Sequence, residues 1–237
     1  MFAFVLSRAD LREKDQMVSL YTWEKGKIEA AIRGVKKITS KNSAYLEPVF
    51  LIDAEILPGK EINHLIKAVP FFCYKNILKD FGKLVLLRTV FGWLSVLTHH
   101  NERDSKIFLL IKSWMEFLDV TNVFSTALGY GFLANLIVCL GFAPSLDSCA
   151  VCDEENNLVG FYPAGGGVVC RKCLFVKKQQ DAKVYPIRPV DLQALQWLFS
   201  KQWEKMVEQN TEIANRLVFL YVQYHSEKKL NKISKLL

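Results

Sequence analysis

The chain has 237 residues, 51% of them hydrophobic and 23% charged, a globular balance that excludes disordered and fibrous classes. At that length it buries roughly 70% of its unfolded surface, so it needs no disulfide staples. Lys and Arg number 31 against 24 Asp and Glu, a formal charge of +7, which favours a polyanionic partner without naming one. The excess sits at the two ends. Net charge is +3 over residues 1–80, zero over 81–148 and +4 over 149–237, so the middle third reads as core.

The opening MFAFVLSRAD lacks a basic leader region and its apolar run is short, so no secretory signal is expected. Up to about residue 75 the apolar pattern has period two. Ile28, Ala30 and Ile32 share one face of a predicted strand, as do Phe50, Ile52, Ala54 and Ile56 of another. With Phe2–Leu6, Met17–Trp23 and a weaker run near Ile62–Val69, these make five short strands, the count of a small closed barrel.

From about residue 76 the period becomes helical. Leu84–Leu97 is almost all apolar. Ile107, Leu110, Ile111, Trp114 and Leu118 recur at helical spacing, and so do Ile213, Leu217, Leu220, Tyr221 and Tyr224 after a cap at Asn210 or Thr211. Val120–Leu146 is 27 residues without a charge. Its Asn, Ser, Thr, Gly and Pro residues point to one buried helix with polar approaches rather than a membrane span. The reading is an α+β chain: a barrel domain over residues 1–78, then a mainly helical domain over 79–237 with a zinc finger inserted at about 146–176.

That insertion rests on Cys149-Ala-Val-Cys152 and, seventeen residues later, Cys170-Arg-Lys-Cys173. Two CxxC pairs at this separation match a four-thiolate zinc site, each pair bending its backbone so that two sulfurs face one tetrahedral ion. Disulfides fit poorly without a secretory signal, and a redox dithiol needs a single pair in a strand–helix setting. Four thiolates fill the coordination sphere, so one structural ion is expected, with no open position for water. Cys73 and Cys139 lie in apolar runs and read as core residues.

Gly165-Gly166-Gly167 lacks the Lys and helix of a phosphate loop and reads as the turn before Cys170. His99-His100 reads as a polar helix end. No local spacing assembles a nucleophile with its base or a carboxylate pair, so no catalytic residue is assigned. The clearest binding segment is Arg33, Lys36, Lys37 and Lys41, four cations with no acid between Ala30 and Tyr45, placed between the third and fourth strands. Tyr21, Trp23, Lys25 and Lys27 lie just upstream. Cations interleaved with rings on a small barrel suit single-stranded nucleic acid; the competing reading is a solvated loop with Trp23 inside the barrel.

Together these residues resemble a family. The stretch from Glu13 through Gly34 to Ser40, Leu46 and Pro48 is similar to the N-terminal domain of the RecO recombination-repair proteins. So is Leu140–Cys149, running into the four cysteines and the intervening Phe161-Tyr-Pro-Ala-Gly-Gly, and the tail from Tyr224 to Ser234 resembles the family's closing helix. One departure is Asp153, where the family usually carries Gly. The resemblance implies an OB-fold that binds single- and double-stranded DNA, anneals complementary strands and, with RecR, helps load RecA onto DNA covered by single-strand-binding protein. It implies a non-enzymatic protein of the bacterial cytoplasm, associated with the nucleoid and not with membrane. Lys25, Lys27, Arg33, Lys36, Lys37 and Lys41 are then the expected phosphate contacts, and Tyr21 or Trp23 the stacking surfaces. Two rivals are a zinc-ribbon RNA-binding translation or transcription factor, and a metallohydrolase, which would need His or carboxylate ligands and an open metal position.

Overall fold

The computed structural model describes residues 1–11, 15–33, 45–208 and 211–226. They form two compact units, Met1–Asn122 and Val123–Leu237.

Unit 1 holds the five strands: β1 (Phe2–Asp10), β2 (Gln16–Thr22), β3 (Gly26–Ile32), β4 (Phe50–Leu57) and β5 (Asn63–Cys73). They close a barrel in the order β1-β2-β3-β5-β4, with β3 and β5 parallel and β1 and β4 antiparallel. Alternate residues fill the interior: Ala3 and Val5, Val18 and Leu20, Ile28, Ala30 and Ile32, Ile52 and Ala54. Each large aliphatic buried this way stabilises the barrel by about 1.5–3 kcal/mol. This is the small closed barrel that the period-two pattern anticipates, and its strand order is that of the OB-fold which the resemblance implies.

The outer face of β1 and β2 is covered as well. Phe4 packs on Phe108 with ring centroids 4.9 Å apart, and Phe108 belongs to α3. Helices α1 (Lys75–Lys79), α2 (Phe81–Leu97) and α3 (Ser105–Val120) therefore share a unit with the barrel. Asp80 caps α2 by accepting from the Lys83 amide, and Asp104 caps α3 by accepting from the Lys106 and Ile107 amides. The structural division thus falls after Asn122, whereas the change of sequence period falls near residue 78. Packing of α2 and α3 against the strands accounts for the difference.

Unit 2 contains α4 (Ala127–Cys139), β6 (Leu158–Tyr162), β7 (Gly167–Cys170), α5 (Arg171–Gln179), β8 (Tyr185–Pro186), α6 (Pro189–Leu198), α7 (Trp203–Glu208) and α8 (Glu212–His225). The uncharged stretch holds α4, which is largely buried. Its buried Asn135 side chain donates to the carbonyls of Gly131 and Leu198, each at 2.8 Å. Thr211 precedes α8 but makes no side-chain cap bond, and Asn210 lies outside the described residues. Among the described residues no helix is long and apolar enough to cross a membrane.

Candidate metal centre and nucleic-acid interface

The four cysteines converge. Cys149 and Cys152 sit in a tight turn in which the Asp153 amide donates to the Cys149 carbonyl at 2.9 Å, and the Cys149 amide to the Glu154 carbonyl at 2.8 Å. Asp153 closes the turn at φ 59°, left-handed backbone that glycine adopts freely and Asp tolerates better than most residues. Cys170 ends β7, and Cys173 lies in the first turn of α5. The Gly run does what the sequence predicts. Gly166 is left-handed at φ 81°, and a Cβ on Gly167 would lie 2.2 Å from the Ser145 carbonyl oxygen, so the chain needs glycine to lie against Ser145 before rising to Cys170.

The four sulfurs all lie within 4.8 Å of one another, with Cys152 Sγ 3.7 Å from Cys170 Sγ and 3.5 Å from Cys173 Sγ. Cys149 and Cys170 are buried, Cys152 is exposed and Cys173 is half-buried. Burial pushes the Cys149 thiol up, but amides of Cys170, Val151 and Cys152 outweigh it and bring the group down to about 7. Burial, then the neighbouring sulfurs, push Cys173 up to about 12. Four thiols this close cannot all ionise alone, because each new anion repels the others. A divalent soft-to-borderline cation removes that conflict, so the donor set fits a metal ion held by sulfur alone.

The barrel-side candidates separate by position. Lys25 is exposed in the β2–β3 turn and Arg33 is exposed just past β3. Lys36, Lys37 and Lys41 lie outside the described residues. Lys27 is corrected by the structure: it is buried, and its Nζ donates to the carbonyls of Ser95 and Thr98 at 2.6 Å each. A phosphate cannot reach it there. Tyr21 is likewise buried, 1% exposed, and cannot stack on a base. Trp23 is half-buried, edge-on to Phe108 at 5.3 Å, with the Arg103 guanidinium 5.9 Å over its ring.

His99 and His100 are exposed just beyond α2, as a polar helix end. Cys73 and Cys139 are half-buried rather than fully in the core. Sequence reasoning missed the exposed rings Phe2, Phe71 and Phe72, of which Phe2 and Phe71 meet at 4.8 Å. A bulge lets Phe71 and Phe72 both escape the alternation of β5. It also missed Arg171, Lys172 and Phe175, exposed on α5 beside the cysteines; their signal was a cationic helix with an unshielded ring.

Comparison with known proteins bears on this arrangement. A family model described as Recombination protein O N terminal matches residues 2–72, the barrel. One described as Recombination protein O C terminal matches residues 80–233, which carry α2 to α8 and all four cysteines. The chain belongs to the RecO family. Among its relatives is the DNA repair protein RecO of Caldanaerobacter subterraneus subsp. tengcongensis, 27% identical over 230 residues that cover 95% of this chain and 92% of the relative. The DNA repair protein RecO of a Thermoanaerobacter species is 24% identical, covering 95% and 91%. That of Desulforamulus reducens is 25% identical, covering 96% and 90%. The RecO match thus spans both units in one order, barrel first and cysteine centre second.

Proposed function

We propose that this chain is a DNA repair and recombination mediator that binds single- and double-stranded DNA and anneals complementary strands. With RecR it assists RecA loading onto DNA coated by single-strand-binding protein. The observation that carries the reading is the RecO match across both the barrel and the cysteine-bearing unit. Its work is binding and exchange rather than bond chemistry, carried out in the bacterial cytoplasm at the nucleoid. The phosphate contacts are Lys25 and Arg33 with Lys36, Lys37 and Lys41 of the adjoining segment, and Trp23 offers a partly open ring edge. Such contacts fix a strand's path without reading its sequence.

The metal is one zinc ion, held by Cys149, Cys152, Cys170 and Cys173. All-thiolate, closed coordination is the structural type of zinc site. When bound, the ion supplies a cross-link between the Cys149–Cys152 turn and the start of α5. The residues themselves orient that helix.

Competition between DNA and RNA oligonucleotides of matched sequence tests this reading against an RNA-binding zinc-ribbon factor. A mediator of this kind retains DNA under excess RNA. Preferential displacement by RNA would overturn the reading.

A further inference from the structure

We propose that the open cleft beside the four-cysteine centre is a second contact for single-stranded DNA, in which Phe175 stacks on a base while Arg171 and Lys172 hold adjacent phosphates. The inference rests on the DNA-binding function proposed above and adds a site in unit 2 to the barrel.

The cleft, about 1150 Å³, is lined by Glu154, Asn156, Asn157, Arg171, Lys172 and Phe175, with Cys170 in its wall. Phe175 is 65% exposed, a flat apolar ring open to solvent on a helix whose sequence, RKCLFVKKQ, carries four cations and no acid. The cations are differently engaged. Lys177 lies 5.8 Å over the Tyr162 ring and donates to Gln180 at 3.2 Å. Among the described residues Arg171 and Lys172 make no ion pair, and both line the cleft.

The one carboxylate of the lining, Glu154, is held by its neighbour Asn156. Glu154 Oε1 accepts from the Asn156 amide at 3.0 Å and from its side-chain Nδ2 at 3.2 Å. Glu154 stays charged and acts on Lys172 electrostatically, without an ion pair between them among the described residues, and the cleft lining carries two cations to its one carboxylate.

The helix start is also well fixed. The Arg171 amide donates to the Asn157 carbonyl at 3.1 Å, and Arg171 and Lys172 lie between two of the four clustered sulfurs in sequence. Two cations and one exposed ring lining the same cleft are the groups that single-strand binding uses, cations for phosphates and a ring for a base. The ring requires an unstacked base, which selects the single strand over the duplex.

The test uses the full chain and a fluorescein-labelled oligo(dT) in anisotropy titrations at several salt concentrations. Phe175→Ala should weaken binding roughly five- to 150-fold, the range of one lost base stack. Phe175→Leu should fail to restore it. Lys172→Glu should reduce the log–log salt slope by about 0.7. Metal content and melting temperature should remain those of the parent, since these side chains are exposed.

If the parent binds and all three variants match its affinity and slope, the cleft is not a contact and the barrel reading stands alone. Restoration by Phe175→Leu would overturn the stacking role. A parent that binds no DNA would overturn this inference and the proposed function together.

Discussion

Lys27 carries a cation into the interior of unit 1, where it closes the end of α2 by donating to Ser95 and Thr98. The last carbonyls of a helix lack intrahelical partners and carry partial negative charge, so a lysine there satisfies both needs. Burial lowers the Lys27 pKa, and nearby Glu29 partly offsets that. Lys27→Met would leave two carbonyls without their donor, and should destabilise unit 1 by about 1–3 kcal/mol in urea unfolding. Lys25→Met, at an exposed turn, should leave stability within about 0.5 kcal/mol. The two lysines are two residues apart and look alike as charges in a sequence. What separates them is strand register: Lys27 pairs with Tyr21 across β2–β3 on the side that α2 covers, and no local pattern reports where a distant helix ends. The four cysteines were legible for the opposite reason, because ligand spacing is itself a local pattern. Asp153 belongs with them, because its backbone is left-handed, a conformation that glycine adopts freely and Asp tolerates.

Strands β1 to β5 could be read because one face of each is filled by alternate residues of a common interior. Two departures could not. Phe4, on the outer face of β1, is buried against Phe108 of α3, and β5 runs on through Pro70 to Cys73 with bulges that shift its register on β4. Both depend on partners distant in sequence. The segment after β3 carries Arg33, Lys36, Lys37 and Lys41. Reversing Lys36 and Lys37 to Glu should weaken binding to all DNA sequences alike and reduce the salt slope by about 0.7 per lost single-strand contact. Unfolding of the same variant should be unchanged.

Helix α8 offers a separate handle through His225, which packs among the rings of Phe142, Tyr221 and Tyr224. Burial lowers its pKa below the ordinary 6.5, opposed by the hydrogen bond that its ring donates to the Pro163 carbonyl. The unfolded chain therefore takes up the proton first on acidification, so this contribution is fully present above about pH 6.5 and is lost as pH falls through the lowered value. Melting of unit 2 should drop between pH 7.5 and 5.5, and His225→Phe should drop less over the same interval. An equal drop in both proteins would remove His225 as the cause. The other three histidines, His64, His99 and His100, all lie in unit 1.

At the scale of the whole molecule the chain joins a unit with a large apolar interior to one whose hairpin is organised by sulfur. Structural zinc contributes about 10–16 kcal/mol of apparent binding in small zinc peptides. Unit 2 also buries α4, α6 and α8, so Cys170→Ser should lose the metal and lower the melting temperature of unit 2 without unfolding the chain. Unit 1 should melt as before. Metal analysis and calorimetry on one preparation would check both statements, and an unaltered zinc content in the variant would exclude the four-sulfur site.

Annealing of fluorescent complementary DNA strands, bare and coated with single-strand-binding protein, tests the mediator reading most directly. The protein should accelerate pairing on both substrates, and reversing Lys36 and Lys37 should diminish the effect. Pairing no faster than the uncatalysed reaction, on either bare or coated strands, would contradict it.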